Sequence, residues 1–364
     1  MRITRRLAAA QVSGTVRLAQ MARERRAAGR EVIDLAEGEP DFDTPAHIVA
    51  AAHDAALRGE TRYTDVAGTA ALRAAVAETF GRDSGVDAGP ERVIVGTGGK
   101  QLIFNALMAT LEEGEEAIIP APCWVSYPDI VGLCGGVPVM VPCPAAGDWK
   151  LTPEALAGAI TKRTRWLILN SPGNPTGSVY AAAELAALAE VLRAHPGIAV
   201  LSDDIYQAIR HDGTPFATMA AVAPDLADRV LTVSGVSKAH AMTGWRIGYA
   251  TGPADLIAAM IKLQGQQTTN ACSVAQAAAL AALTGPQDHL AAWGAAYARR
   301  RDRVAAGLKG TGLRLGRPAG AFYHFADVSA LLGRRAPDGT VIETDTDLVA
   351  FLLEATGVAT VPGS

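Results

Sequence analysis

Between Ser234 and Ala250 the chain reads SGVSKAHAMTGWRIGYA, and its single lysine, Lys238, follows a short apolar run. Val230-Leu231-Thr232-Val233 is mostly β-branched and is bounded by Ser234-Gly235, which predicts a buried strand ending in a turn. Lys238 then stands in a loop at a strand's carboxyl end, the edge at which open α/β sheets bind ligands. An ammonium held there is either a phosphate partner or, once desolvated, a nucleophilic amine that condenses with a carbonyl. Gly244 permits close backbone approach, and Arg246 offers a planar fork for bidentate phosphate contact. Alone, Lys238 reads as a solvated loop lysine. A carbonyl-seeking lysine beside a phosphate-seeking arginine points to pyridoxal phosphate.

Outward from that stretch, short apolar runs alternate with alanine-rich helical patterns. Val93-Val95, Ala117-Ile119, Val137-Val141, Trp166-Leu169, Ile198-Leu201, Val230-Val233 and Ile247-Ala250 read as strands, and Leu102 to Leu111 and Ala182 to Arg193 as helices. Such alternation predicts an α/β fold, a largely parallel sheet covered on both faces. Upstream, Thr44-Pro45 predicts a helix start, threonine capping the free amides, and Gly59 ends that helix after about Arg58. Past residue 284 the texture changes: a long arginine-dotted helix is expected over Pro286 to Leu308, then a strand-like piece at Ala321 to Phe325.

Four further features gather chemistry. Val93-Ile94-Val95 leads through Gly96-Thr97-Gly98-Gly99-Lys100 into a helix, an arrangement that favours an anion at free amides and a helix dipole. It is neither a nucleotide P-loop, which needs glycine at Ile94 and serine or threonine at Gln101, nor the dinucleotide fingerprint, which needs glycine at Gln101. Trp124, shortly after the Ala117-Ile119 run, is either core or a stacking face for a planar ring. Asn170-Ser171-Pro172-Gly173-Asn174-Pro175-Thr176-Gly177 is a loop at the same predicted sheet edge. Asp203 ends an apolar run and needs a partner there, either a structural cation or a pyridinium nitrogen.

These motifs, in order, resemble those of the class I and II aminotransferases, the fold-type-I pyridoxal-phosphate enzymes. The resemblance runs through GEPDFDTP at 38–45 with its flanking residues, the Gly98-Gly99-Lys100 loop, Cys123 to Pro128, NSPGNPTG, SDDIY, SxxSKxxxxxGWRxGY and GAFY at Gly320 to Tyr323. It implies a large domain with a seven-stranded, mostly parallel sheet and a smaller α+β domain: 1–45 as N-terminal segment and part of the small domain, 46–284 as the cofactor domain, 285–364 as the remainder of the small one. It further implies that Lys238 carries the cofactor and is the catalytic base. Asn174 and Tyr206 would contact the phenolic oxygen, Asp203 the ring nitrogen, Trp124 the ring face, and Gly98, Gly99, Ser237 and Arg246 the phosphate. Tyr63 would reach the phosphate of the other subunit, so a homodimer with shared sites is implied. Substrate contacts are implied for Gly38, Trp124 and Asn174.

Within the family the chain looks most like the bacterial aspartate aminotransferases, some of which also accept prephenate. Lys100 and Ser13 match residues that contact a substrate's side-chain carboxylate in that subgroup. The implied reaction is a ping-pong transfer between a dicarboxylic amino acid, aspartate or glutamate, and a 2-oxo acid, oxaloacetate or 2-oxoglutarate. The family's arginine for the α-carboxylate lies beyond the turn Val361-Pro362-Gly363, where this sequence ends. Two alternatives are therefore carried: a cofactor-binding but impaired, C-terminally shortened homologue, and a lyase on the same scaffold.

Composition sets outer bounds. With 33 basic against 37 acidic residues and a net charge of -4, nothing invites a polyanion, and nucleic acid is not expected as a partner. Cys123, Cys134, Cys143 and Cys272 show no metal spacing, so reduced thiols and a cytoplasmic home are expected, with no metal. Arg2, Arg5, Arg6 and Arg17 precede the first acid, Glu24, as in an organelle presequence, but an amphipathic surface helix is the preferred reading. The apolar run from Leu7 to Val12 is too short to span a bilayer.

Overall fold

The computed structural model describes residues 3–9 and 14–364. They divide into a larger unit, 40–299 with 318–323, and a smaller one, the residues up to 39 with 300–317 and 324–364.

In the larger unit all seven expected strands form one sheet, in the spatial order Val93–Gly96, Gly248–Thr251, Val230–Gly235, Ala199–Asp203, Thr164–Asn170, Glu116–Ala121 and Val137–Pro142. Six run the same way; Gly248–Thr251 is antiparallel to both neighbours. Side chains alternate across the pleat, so each strand feeds two cores. Val200, Val230, Val93 and Val95 join one buried cluster, and Leu201, Leu231, Ala250 and Ile94 the other. Strands buried on both faces explain the continuous apolar runs of the sequence. Truncating a fully buried leucine such as Leu231 to alanine costs about 2–5 kcal/mol.

Strand register fixes which residues meet at the end of the sheet. Asn170 pairs with Asp203, Asp203 with Val233, and Gly248 with both Gly235 and Gly96. The carboxyl ends of the parallel strands therefore share one edge. At Gly248 an added Cβ would sit 2.3 Å from the Gly99 nitrogen, so only glycine lets this strand abut the turn after Val93–Gly96.

Two local expectations are corrected. The helix after Thr44 spans Ala46–Leu57, but Pro45 takes the capping position and no side chain caps it. The Thr44 hydroxyl is engaged elsewhere, donating to the Ala241 carbonyl and accepting from the Trp245 indole. No strand covers Ala321 to Phe325: Gly320 makes one isolated bridge with Arg210, and Ala321 then turns to φ +54°. The apolar run there fills an aromatic cluster with Tyr206, Ile209 and Tyr297 instead. The long helix spans Asp288–Gly307.

In the smaller unit Ile33–Asp34 pairs in parallel with Val358–Ala359, joining distant ends of the sequence. Ala22, Ala36, Leu353 and Ala359 are buried together around that pairing. Ala326–Asp327 pairs antiparallel with Arg314–Leu315.

Candidate active site

Lys238 stands three residues past the end of Val230–Gly235, at the shared carboxyl edge. Its Nζ lies 5.8 Å from the centroid of Tyr206 and 5.7 Å from that of Phe322. The two rings present π-faces to the ammonium, an attraction within the usual cation–π range.

Asp203 is the last residue of its strand and is buried. Tyr127 donates from its hydroxyl to Asp203 Oδ2 at 2.6 Å, and the Ile205 amide donates to Oδ1 at 3.2 Å. Burial pushes the Asp203 carboxyl up to about 6, while the Tyr127 and Ile205 hydrogen bonds and the charge of Lys238 oppose the rise. The group is a buried carboxylate at neutral pH that still favours a cationic partner. Next to it, burial raises Asp204 to about 8, against the hydrogen bond from the Ser202 hydroxyl.

On the neighbouring strand end, Asn170 donates to the Asp203 carbonyl at 2.8 Å and accepts from the Asn174 amide at 2.7 Å. The Asn174 side chain in turn donates to the Tyr323 hydroxyl at 3.4 Å, and Tyr323 is hydrogen-bonded to Tyr206. Burial holds the Tyr206 phenol well above its ordinary value and that of Tyr323 up to about 12, so both remain neutral donors.

The turn after Val93–Gly96 completes the edge. Gly98 has φ +83°, and a Cβ there would meet Arg246 Nη2 at 2.5 Å, so the guanidinium lies directly against the glycine. The helix Gly99–Thr110 starts at that point, turning its amino end and dipole toward the same guanidinium. Lys100, in its first turn, places Nζ 4.7 Å from the Trp124 ring centroid. Burial, then the charge of Arg246, lower the pKa of Lys100. Trp124 meets Tyr127 edge-on, with ring centroids 5.2 Å apart.

The larger unit thus brings Gly98, Gly99, Lys100, Trp124, Asn174, Asp203, Tyr206, Ser237, Lys238 and Arg246 to one sheet edge. Tyr63 is 87% exposed. Gly38 belongs to the smaller unit, and Ser13 lies outside the described residues. Tyr127 and Tyr323 were not named as site residues, although both lie in the strings CWVSYP and GAFY; their partners lie 76 and 117 residues away. Among the described residues no cluster of histidine, cysteine or acids is arranged to hold a metal.

A doubly covered sheet with a lysine, a buried acid and an arginine–glycine cradle at its carboxyl edge defines an enzyme of the fold-type-I class. The chain belongs to the class I and II aminotransferases, whose family model matches residues 30–364. It is 52% identical over 359 residues to the aspartate/prephenate aminotransferase of Cereibacter sphaeroides, covering 98% of this chain and 90% of that protein. Identity to the aspartate aminotransferase of Rhizobium meliloti is 49% over 360 residues, 99% of this chain and 88% of that one. A crystal structure of the aspartate aminotransferase from Rhizobium meliloti superposes with a TM-score of 0.97 at 48% identity, covering 100% of this chain and 91% of that one. The Thermus thermophilus aspartate aminotransferase with maleate gives 0.91 at 43% identity, covering 100% and 92%.

The cofactor of the family is pyridoxal 5'-phosphate, and the residues present fit it. Its three polar corners each find a counterpart: the Arg246–Gly98 cradle for phosphate, buried Asp203 for a ring cation, and the Asn174–Tyr206–Tyr323 donors for a phenolate.

Proposed function

We propose that the chain moves the amino group of a dicarboxylic amino acid, aspartate or glutamate, to a 2-oxo acid, oxaloacetate or 2-oxoglutarate, in ping-pong fashion, with prephenate as a further acceptor. The observation that carries this reading is a pair of neighbouring cations. Lys100 and Arg246 lie close enough for the guanidinium to depress the ammonium's pKa, and neither forms an ion pair among the described residues. Both side chains are exposed at the sheet edge and carry like charge, so each gains from an anion brought beside it. Side by side they prepare places for two anions, the cofactor phosphate at Arg246 and a substrate side-chain carboxylate at Lys100. The maleate of the Thermus thermophilus structure is a four-carbon diacid of the same class.

In this reading Arg246, Ser237 and the amides of Gly98 and Gly99 hold the phosphate, Asp203 the ring nitrogen, Asn174 and Tyr206 the phenolic oxygen, and Trp124 the ring face. When bound, the cofactor supplies an electron sink for the α-carbanion. Asp203 keeps the facing nitrogen protonated, which is what makes the sink deep, and Tyr127 keeps Asp203 ionised. Lys238 Nζ takes the proton from the substrate α-carbon and returns one in the second half of the cycle. The Tyr206 and Phe322 rings lie 5.8 and 5.7 Å from that nitrogen and limit where it can move. Gly38 and Ser13 are further substrate contacts in this reading.

The homodimer is supported by an unused apolar face. Val49 and Leu57 on helix Ala46–Leu57 are 45% and 74% exposed, with Tyr63 more exposed still. A second copy covering them would place Tyr63 at the partner's site. A cytoplasmic home is supported by the four cysteines, none of which is joined in a disulfide. Among the described residues no helix is long and apolar enough to cross a membrane.

Mixing the cofactor-loaded protein with aspartate, glutamate or alanine, without any oxo acid, and measuring oxo acid released in one turnover tests the substrate class. The two diacids react and alanine lags by about tenfold or more. Equal rates for all three would refute the diacid assignment.

A further inference from the structure

The loop that carries both Lys238 and Arg246 is tied by one hydroxyl to the segment just before the helix Ala46–Leu57. Two residues in it, Ala241 at φ +51° and Arg246 at φ +58°, adopt the left-handed backbone conformation although neither is glycine. A Cβ makes that conformation unfavourable, and it persists only where surrounding contacts enforce it. Within the loop, Met242 donates to the Ser237 carbonyl, Trp245 to that of Met242, and Arg246 Nη1 to that of Thr243 at 2.7 Å. These bonds fold the loop on itself between the paired strand ends Gly235 and Gly248.

That tie comes from Thr44, nearly two hundred residues upstream. Its hydroxyl donates to the carbonyl of strained Ala241 at 2.6 Å and accepts from Trp245 Nε1 at 3.1 Å. A hydroxyl carries one donor and two acceptor sites, so a single oxygen serves both ends of the turn. Trp245 is the immediate neighbour of Arg246, and Ala241 lies three residues from Lys238. His240 adds a second tie, its Nδ1 hydrogen-bonded to His289 Nε2 at 3.0 Å.

We propose that Thr44 is a positioning residue: it pins Ala241 and Trp245 together so that Arg246 stays left-handed against Gly98, prepared for a phosphate before the cofactor arrives. The inference rests on the reading of Arg246 and Lys238 as cofactor ligands. Phosphate capture by a fixed guanidinium avoids the ordering cost that a mobile one meets on binding. Removing the hydroxyl leaves the Ala241 carbonyl and the Trp245 N–H unmatched and lets both strained residues relax.

Thr44→Val keeps the shape and removes the hydroxyl; Thr44→Ser keeps the hydroxyl. Apoprotein of each is titrated with pyridoxal phosphate and with pyridoxal, which lacks the phosphate, and its melting temperature is recorded. Thr44→Val raises the Kd for pyridoxal phosphate about tenfold, the scale of one hydrogen bond lost at a part-buried site, and that for pyridoxal by less. Thr44→Ser stays close to the parent. Trp245→Phe, which removes the other side of the clamp, gives the same sign, and the double variant loses less than the sum because both act through one oxygen. Unchanged pyridoxal phosphate affinity in folded Thr44→Val overturns the proposal, as does an equal loss for the two ligands. Should Thr44→Val not fold, Trp245→Phe carries the test, and unchanged pyridoxal phosphate affinity in that variant overturns the proposal. A parent whose binding does not respond to Lys238→Ala and Arg246→Ala would instead refute the underlying cofactor reading.

Discussion

Tyr127 donates a 2.6 Å hydrogen bond to Asp203, and both are buried at the carboxyl edge of the sheet. The acid is what a protonated ring nitrogen needs opposite it, and the phenol is what keeps the acid ionised there. Burial alone would push Asp203 higher than about 6.

Tyr127→Phe removes that donor without changing shape. The Asp203 pKa rises above about 6, so the pH below which cofactor affinity falls moves upward by about one unit, equivalent to roughly 1–2 kcal/mol of lost stabilisation of the carboxylate. The charged form exists only above the pKa, so a higher pKa lets acid remove it sooner. A Kd-versus-pH profile of both proteins reads the shift, and superimposable profiles would contradict it.

Lys100→Ala is expected to discriminate between substrates. Its ammonium over Trp124 is assigned to the side-chain carboxylate, so kcat/KM for aspartate falls by about 2–3 kcal/mol, roughly thirty- to two-hundredfold, while alanine changes little. A uniform loss for both amino acids would return Lys100 to a purely electrostatic neighbour of the phosphate.

Gly98→Ala should damage phosphate binding by displacing Arg246. The backbone there is at φ +83° and the new methyl would meet the guanidinium at 2.5 Å. The backbone strain alone costs on the order of 1–3 kcal/mol, read as a lower melting temperature and weaker cofactor binding. A variant matching the parent in both would show that the cradle is adaptable.

Asp204→Asn tests the buried acid beside the site. Folded Asp204 is raised to about 8 by burial, whereas an unfolded aspartate titrates near its ordinary value. The native state therefore keeps a proton that the unfolded chain gives up, and stability falls as pH climbs from about 4 to about 8. Asparagine removes that slope, so the variant gains on the parent as pH rises through this window. Denaturation midpoints at several pH values check this; parallel curves would contradict it.

Much of this was legible in the residues. Short apolar runs marked all seven sheet strands, because strands covered on both faces need no alternation and stand out as continuous runs. The placement of Lys238, Asn174 and Asp203 at the sheet edge was legible because each lies within five residues of the end of such a run. Other features were set by contacts that no local pattern carries. Thr44 looked like a helix cap, yet its hydroxyl bonds to Ala241 and Trp245. Phe322 and Tyr323 looked like part of a strand, yet Ala321 turns left-handed and sends them into the Tyr206 cluster. Tyr127 gave no sign beyond its place after Trp124, since the acid that defines it sits in another strand. Ile33–Asp34 finds its partner in Val358–Ala359, a pairing that local periodicity does not encode.

The central claim is that Lys238 is the amine through which this chain exchanges an amino group with a diacid. The most direct measurement is a single half-reaction: protein loaded with pyridoxal phosphate is mixed with aspartate alone, and oxaloacetate is counted per chain, for the parent and for Lys238→Ala. The account predicts stoichiometric oxaloacetate from the parent and a release slowed by several orders of magnitude in the variant. Oxaloacetate released equally by both proteins, or by neither, would contradict it.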